Sequence, residues 1–153
     1  MIEIEENLRL ERRRPTDKEA LIWYQDEDLV YLVDGVREAY SLEKLRRMYA
    51  YLDRVGELYT IEVAENGVWK AIGDVTFSPD NLPIVIGDSS YRGQGIGKKV
   101  IQALIAEARK RGYPALCVRE IYRENKASQK CFTACGFKGN AATAQGYSYR
   151  LEL

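Results

Sequence analysis

The sequence of 153 residues predicts an α+β fold whose central sheet is mostly antiparallel, on three observations. Two apolar runs, Leu58 to Ala64 and Val68 to Phe77, flank Glu65-Asn66-Gly67, and Asn-Gly is the strongest short-range hairpin signal. From Ile96 to Ala108 apolar residues recur at helical spacing. The remaining segments are short, separated by turn residues, and show no repeat, low-complexity tract or linker. Such a chain is expected to fold as one domain over 1–153.

In chain order, Leu8-Arg9-Leu10-Glu11-Arg12 alternates apolar with charged residues and reads as a first strand. Pro15-Thr16-Asp17 is a turn in which Thr16 or Asp17 caps a helix carrying Ala20, Leu21, Trp23 and Tyr24. Asp34-Gly35 interrupts the stretch Leu29 to Tyr40, which is expected to be a short helix or loop. Ser41 is a good N-cap for the helix on which Leu42, Leu45, Met48, Tyr49 and Leu52 are spaced. After the hairpin, Ser78-Pro79-Asp80-Asn81 turns the chain into a short apolar strand, Leu82 to Gly87. The long helix places Ile96, Val100, Ile101, Leu104, Ile105 and Ala108 on one stripe. Basic residues near its C-terminus complement the macrodipole, and Gly112 ends it. A strand at Ala115 to Val118, a helix from Asn125 to Cys135, an extended restart at Gly136-Phe137 and a strand from Tyr147 to Leu153 complete the chain.

Composition removes several functional classes. Lys plus Arg equals Asp plus Glu at 23 each, so there is no basic excess for sequence-independent nucleic-acid binding. No apolar run approaches the roughly 20 residues that span a bilayer. The acidic start, Ile2-Glu3-Ile4-Glu5-Glu6, is unlike a signal peptide, so a cytoplasmic location and no membrane partner are expected. Three cysteines, Cys117, Cys131 and Cys135, are expected to be free thiols. With no histidine anywhere, Ser-His and Cys-His catalysis are excluded and no metal site is expected.

Chemistry concentrates in Asp88-Ser89-Ser90-Tyr91-Arg92-Gly93-Gln94-Gly95-Ile96-Gly97-Lys98-Lys99. Glycines entering a helix N-terminus leave several N–H groups pointing one way, with the helix dipole behind them. A phosphate or pyrophosphate suits that setting, with Arg92, Lys98 or Lys99 as charge partners. The Walker A pattern fails because position 92 is Arg and position 99 is Lys; the dinucleotide pattern fails because position 98 is not Gly. A tight strand-to-helix turn with no ligand is the alternative reading of the glycines alone.

Arg92-x-x-Gly95-x-Gly97 resembles the pyrophosphate-binding signature of the GNAT superfamily of acetyl-CoA-dependent N-acetyltransferases. Asn125-x-x-Ser128-x-x-Cys131-Phe132-x-x-x-Gly136-Phe137 resembles that family's second signature, in the matching order. The resemblance covers Ile72 to Phe137 well and the N-terminal half only by order of elements. It implies a three-layer α/β/α fold in which strand Leu82 to Gly87 splays from strand Ala115 to Arg119. The pantetheine arm of acetyl-CoA would run along Ile84, Val85 and Ile86, with an N–H near Val85 or Ile86 facing the developing oxyanion. Arg92, Gly93, Gln94, Gly95, Ile96, Gly97 and Lys98 would cradle the pyrophosphate; Asn125, Ser128, Lys130 and Phe132 would line the far side.

The implied reaction is direct attack of an amine on the thioester. At pH 7 a lysine-like amine is neutral in only roughly one molecule in 2,500, an α-amine in roughly one in six, so a base matters. Asp74, Asp88 and Glu120 are the candidate carboxylates, Glu120 preferred, with a water relay as the alternative. Many family members carry Tyr where Phe132 stands; a thiol with a pKa broadly like that of a free Cys, about 8.5, needs little protonation on leaving, and Tyr122, Tyr91 or water could stand in for the missing phenol, so the catalytic acid stays open. Trp23, Tyr24, Asp26, Glu27, Asp28, Tyr31, Asp34 and Glu38 would suit a cationic acceptor, a small amine, an aminoglycoside-like compound or a peptide end. A solvated acidic helix end is the plainer reading of the same residues. A non-catalytic acyl-CoA-binding module and a phosphate-binding regulator of another family are the competing functions, and the assembly is expected to be a monomer or homodimer.

Overall fold

The computed structural model describes residues 1–153. A strand at the start of the chain, β1 (Ile2–Glu5), pairs with β2 (Leu8–Glu11) as a hairpin. β1 is an addition to the strands expected from sequence: the alternation of Ile2-Glu3-Ile4-Glu5 marks an acidic start but also a strand, whose Ile2 and Ile4 pack on the core. Then come α1 (Asp17–Tyr24), α2 (Glu27–Asp34) and α3 (Leu42–Val55). Each starts on a polar cap. Thr16 and Glu19 form a reciprocal capping box on α1, the Asp26 carboxylate accepts from the Asp28 and Leu29 amides, and Ser41 accepts from the Lys44 amide. Gly35, at φ +79°, ends α2 in the left-handed conformation, which resolves the helix-or-loop alternative at Leu29 to Tyr40 in favour of a helix that stops at Asp34.

The long hairpin β3 (Glu57–Glu65) and β4 (Val68–Phe77) follows, then β5 (Ile84–Ile86), a 3₁₀ turn at Ser89–Tyr91, α4 (Ile96–Lys110), β6 (Ala115–Tyr122), α5 (Lys126–Ala134), β7 (Lys138–Ala142) and β8 (Gly146–Glu152). Two sheets result, of order β1-β2-β3-β4-β5 and β6-β8-β7, with every paired neighbour antiparallel. They meet at one end. The Cys117 amide donates to the Pro79 carbonyl at 3.0 Å, and the Arg119 amide to the Asn81 side-chain oxygen at 2.9 Å. Both contacts have the same offset (117 − 79 = 119 − 81 = 38), so β5 and β6 run in the same direction. At Asn81 a side chain already stands in for a backbone carbonyl; beyond it the strands separate.

The sheet divides two cores. On the α4–α5 face, Tyr59, Ile61, Val75, Phe77, Leu104, Val118, Phe132 and their neighbours form one buried cluster. On the other face Ala20, Trp23, Tyr24, Leu29, Val30, Tyr40, Leu45 and Tyr49 form a second with Leu58 and Ala71. These are the three layers expected for the fold. No helix is long and apolar enough to cross a membrane.

Candidate active site

Where β5 and β6 part, a cleft of about 240 Å³ opens. Leu82, Ile84 and Val85 line one wall, Val118 to Tyr122 the other, with Asn125, Ser128 and Phe132 at and after the start of α5, and Leu32 and Val33 of α2 at one mouth. That volume is below the roughly 300–1,000 Å³ of a drug-sized pocket, so it suits a slender extended chain and leaves a bulky headgroup outside.

The edge of β5 toward the cleft is defined by its register. The Thr76 amide donates to the Pro83 carbonyl, Asp74 pairs with Val85, and the Gly87 amide donates to the Ile72 carbonyl. Backbone groups alternate along a strand, so residues 83, 85 and 87 face β4 and residues 84 and 86 face the gap. This corrects the expectation for Val85, whose main chain is committed to β4. Ile84 N–H and C=O and Ile86 N–H remain available. The Ile86 carbonyl is taken by Arg92 Nε at 2.8 Å, while Arg92 Nη2 donates to the Gly87 carbonyl at 3.1 Å. The Arg92 side chain therefore braces the end of β5 and does not reach out toward a phosphate; Asp26 lies 4.0 Å from its other nitrogen.

Past that brace the chain opens into an amide cradle. Gly95 precedes α4 with φ +78° and offers no side-chain cap. The six consecutive N–H groups from Gly93 to Lys98 donate to no acceptor in the protein. At Gly93 and Gly95, both with positive φ, the space where a Cβ would stand is open. Gln94 is fixed outward by its own side-chain bond to the Ser90 carbonyl at 2.7 Å. Uncapped first-turn amides, open space and the positive helix end together fit a diphosphate. Gly97 permits α5 to approach, since a Cβ there would lie 3.3 Å from Cys131 Sγ. Lys99 is spent on Glu5 at 2.9 Å, whereas Lys98 and Lys130 are exposed and form no ion pair. The residues present fit coenzyme A: a phosphate cradle, then a strand edge able to bind an amide-bearing arm, then a narrow cleft.

The three candidate catalytic residues differ in placement. Asp74 is 2% exposed, on the α1–α3 face of β4, and accepts from Tyr24 Oη at 2.9 Å and Tyr49 Oη at 2.7 Å. Burial pushes its pKa up to about 6, against the two phenol hydrogen bonds that lower it. The same burial, reinforced by Asp74, drives both phenols far above their ordinary value. Asp74 does not line the cleft; the phenols cover it. Glu120 does line the cleft, re-aimed by a β-bulge at Arg119 and Glu120 opposite Ser148. Hydrogen bonds from Thr143 and the Gln145 amide hold its carboxyl below the usual range, which favours a standing charge over proton uptake. Tyr122 lines the cleft as well, its pKa raised by desolvation and by Glu120 and Asp34. Asp88 is held by Ser90 and Lys70 at the loop and lies outside the cleft.

Phe132 is buried edge-on against Phe137 at 5.1 Å, so no phenol enters there. One turn earlier on α5, Ser128 lines the cleft, its amide donating to Asn125 Oδ1 and its hydroxyl left without a protein partner. The sequence expectation for Ser128 is the cofactor lining alone; its i, i+4 relation to Phe132 is the signal that both share one face. Asn81 was missed altogether, read only as a turn residue. No group of three or more Cys, Asp or Glu side chains is arranged to hold a metal.

A family model for the GNAT acetyltransferase domain matches residues 7–138. No curated protein matches the chain. Among solved structures, the chain is similar to a domain from Methanocaldococcus jannaschii, at 19% identity over 95% of this chain and 98% of that one, with a TM-score of 0.79. An acetyltransferase from Agrobacterium tumefaciens is similar at 18% identity over 97% and 92%, TM-score 0.74. RimL, a ribosomal L7/L12 α-N-protein acetyltransferase solved in complex with coenzyme A, is similar at 17% identity over 99% and 97%, TM-score 0.74. Identities this low speak to fold alone, and the fold agrees along nearly the whole chain. Together with a family match that takes in both the β5–α4 loop and the Asn125 helix, this means that the chain belongs to the GNAT family of acetyl-CoA-dependent acetyltransferases.

Proposed function

We propose that the protein transfers an acetyl group from acetyl-CoA to an amine acceptor in the cleft between β5 and β6. The observation that carries this reading is the run of free amides from Gly93 to Lys98 at the head of α4, next to the open edge of β5. The amides of Gly93 to Lys98 hold the diphosphate, Lys98 and Lys130 add charge outside the cradle, and Ile84 binds the arm by its N–H and C=O. Asn125, Ser128 and Phe132 close the far wall.

Bound acetyl-CoA supplies the thioester. The Ile86 N–H is the free donor best placed to stabilise negative charge growing on the thioester oxygen, a contribution of about 3 kcal/mol when well aimed. The amine enters from the α2 side, past Leu32 and Val33. Glu120 holds its protons by a charge-assisted hydrogen bond, and the released proton passes to water, because no carboxylate lining the cleft has a raised pKa. Ser128 donates to the departing sulfur in place of the phenol that Phe132 lacks. An acceptor whose amine is partly neutral at pH 7 suits this arrangement best.

Gly95→Asp and Gly95→Asn test the cradle as a pair. Both carry the same backbone strain at positive φ, of about 1–2 kcal/mol, but only Asp sets a negative charge in the diphosphate site. Coenzyme A is expected to raise the melting temperature of the Asn variant and not that of the Asp variant. Equal shifts in the two would remove the proposed site.

A further inference from the structure

We infer that Asp34, Tyr40 and Tyr122 form a cation subsite at the acceptor mouth that holds a second, non-reacting ammonium of a diamine-like acceptor. This rests on the acyl-transfer reading of the cleft and names the substrate class for it. The subsite is assembled from three elements. Asp34 is the last residue of α2, Tyr40 leads into α3, and Tyr122 ends β6. Tyr40 Oη donates to Asp34 Oδ2 at 2.6 Å, which fixes the carboxylate against the ring edge. The Tyr40 ring is itself fixed, packed at a tilt of 38° against Tyr24 with ring centroids 5.0 Å apart, and the Tyr40 amide donates to the Tyr24 carbonyl at 2.9 Å.

Three features make this corner a place for a cation. No basic residue lies in the last turn of α2, so the negative end of the helix adds to the Asp34 charge. The Asp34 side chain is 27% exposed, dry enough for its field to be felt and open enough to be reached. Most directly, an ammonium already sits there: Lys44 Nζ lies 3.5 Å from Asp34 Oδ2 and 4.4 Å from the centroid of the Tyr40 ring. Carboxylate on one side and aromatic face on the other is how a protein holds an alkylammonium. Lys44 is 40% exposed on a flexible stem and can swing out, so it stands in for a ligand cation.

The corner adjoins the reaction cleft. Leu32 and Val33, just before Asp34, line it, and so does Tyr122, whose ring would lie 3.4 Å from a Cβ on Gly35. An acceptor with one charge on Asp34 therefore points its other end along α2 toward the thioester. Two cations on one short chain also lower each other's pKa, which raises the neutral fraction of the reacting amine where the cleft provides no poised base.

The test titrates the α,ω-diamines from diaminopropane to diaminooctane, and alkylamines of matching length, into protein saturated with coenzyme A. The best diamine is expected to bind about tenfold tighter than its monoamine, the sum of an exposed ion pair and a cation–π contact, with one chain length preferred. Asp34→Asn should bring that ratio to about one, and Lys44→Met, by vacating the corner, should tighten the best diamine about threefold. The inference is overturned by a ratio near one in the native protein, by no amine binding, or by a ratio that survives Asp34→Asn. Should Asp34→Asn fail to fold, the exposed Lys44→Met variant decides alone, unchanged diamine affinity counting against the subsite. Absence of a melting shift with coenzyme A would instead strike the acyl-transfer reading, and the same titration on the free protein would still judge the corner.

Discussion

Asp74 shows how far burial alone can change what a residue does. A carboxylate with two phenol donors would ordinarily be held charged, yet desolvation wins and sets its pKa at about 6. Relative to an unfolded pKa near 3.8, the native state binds the proton more tightly. The stability contribution is thus complete below about pH 4 and lost as pH rises through 6. At neutral pH the penalty is on the order of 3 kcal/mol. Asn keeps an oxygen for both phenols, so Asp74→Asn is expected to raise the melting temperature at pH 8 and to gain little at pH 4. A gain independent of pH would mean that the native state does not raise the Asp74 pKa. Ser128→Ala bears on the proton for the departing sulfur: kcat is expected to fall about 100-fold with acetyl-CoA affinity little changed. A kcat within twofold of native would assign that proton to Tyr122 or to water. Asp74 and Glu120 were both legible as candidate carboxylates, but their opposite pKa directions were not, because these arise from Tyr24, Tyr49, Thr143 and Gln145, all distant in sequence.

Elements were most legible where local chemistry decides them. Thr16 with Glu19, Ser41, and the Asn66-Gly67 turn each act within a few residues, and the helices and hairpin stand where the caps and turn place them. The amide cradle was readable for the same reason, as glycines ahead of an uncapped helix. What could not be read is pairing across the chain. The separation of β5 from β6 depends on Pro79 and Asn81 meeting Cys117 and Arg119, and the length of β6 on its bulge against β8. Arg92 belongs to this second kind: sequence made it a phosphate ligand, whereas its guanidinium ties the loop to the carbonyls of Ile86, the last residue of β5, and of Gly87 just beyond it. Arg92→Leu is accordingly expected to weaken coenzyme A about fivefold, for the loss of about 1 kcal/mol of loop ordering. Amide exchange of residues 87–94 should quicken in the same variant. A loss of a hundredfold or more with unchanged exchange would restore a direct phosphate contact.

Across the whole molecule, the sheet separates α1 to α3, the acceptor side in the proposed reading, from α4 and α5, the proposed cofactor side, and each set has its own buried cluster. Leu45, fully buried in the cluster on the α1–α3 face, is a suitable probe. Leu45→Ala is expected to cost about 2–5 kcal/mol in stability. Amide exchange should rise in α1 to α3 ahead of α4 and α5, and the acceptor KM should increase before coenzyme A affinity does. Uniform loosening of all five helices would show a single cooperative unit. The division has a long-term corollary. Substitutions among α1 to α3 spend their disturbance on their own side of the partition, so a lineage can retune which amine it accepts in small, separately tolerable steps. The half proposed to hold the donor is meanwhile left as it was.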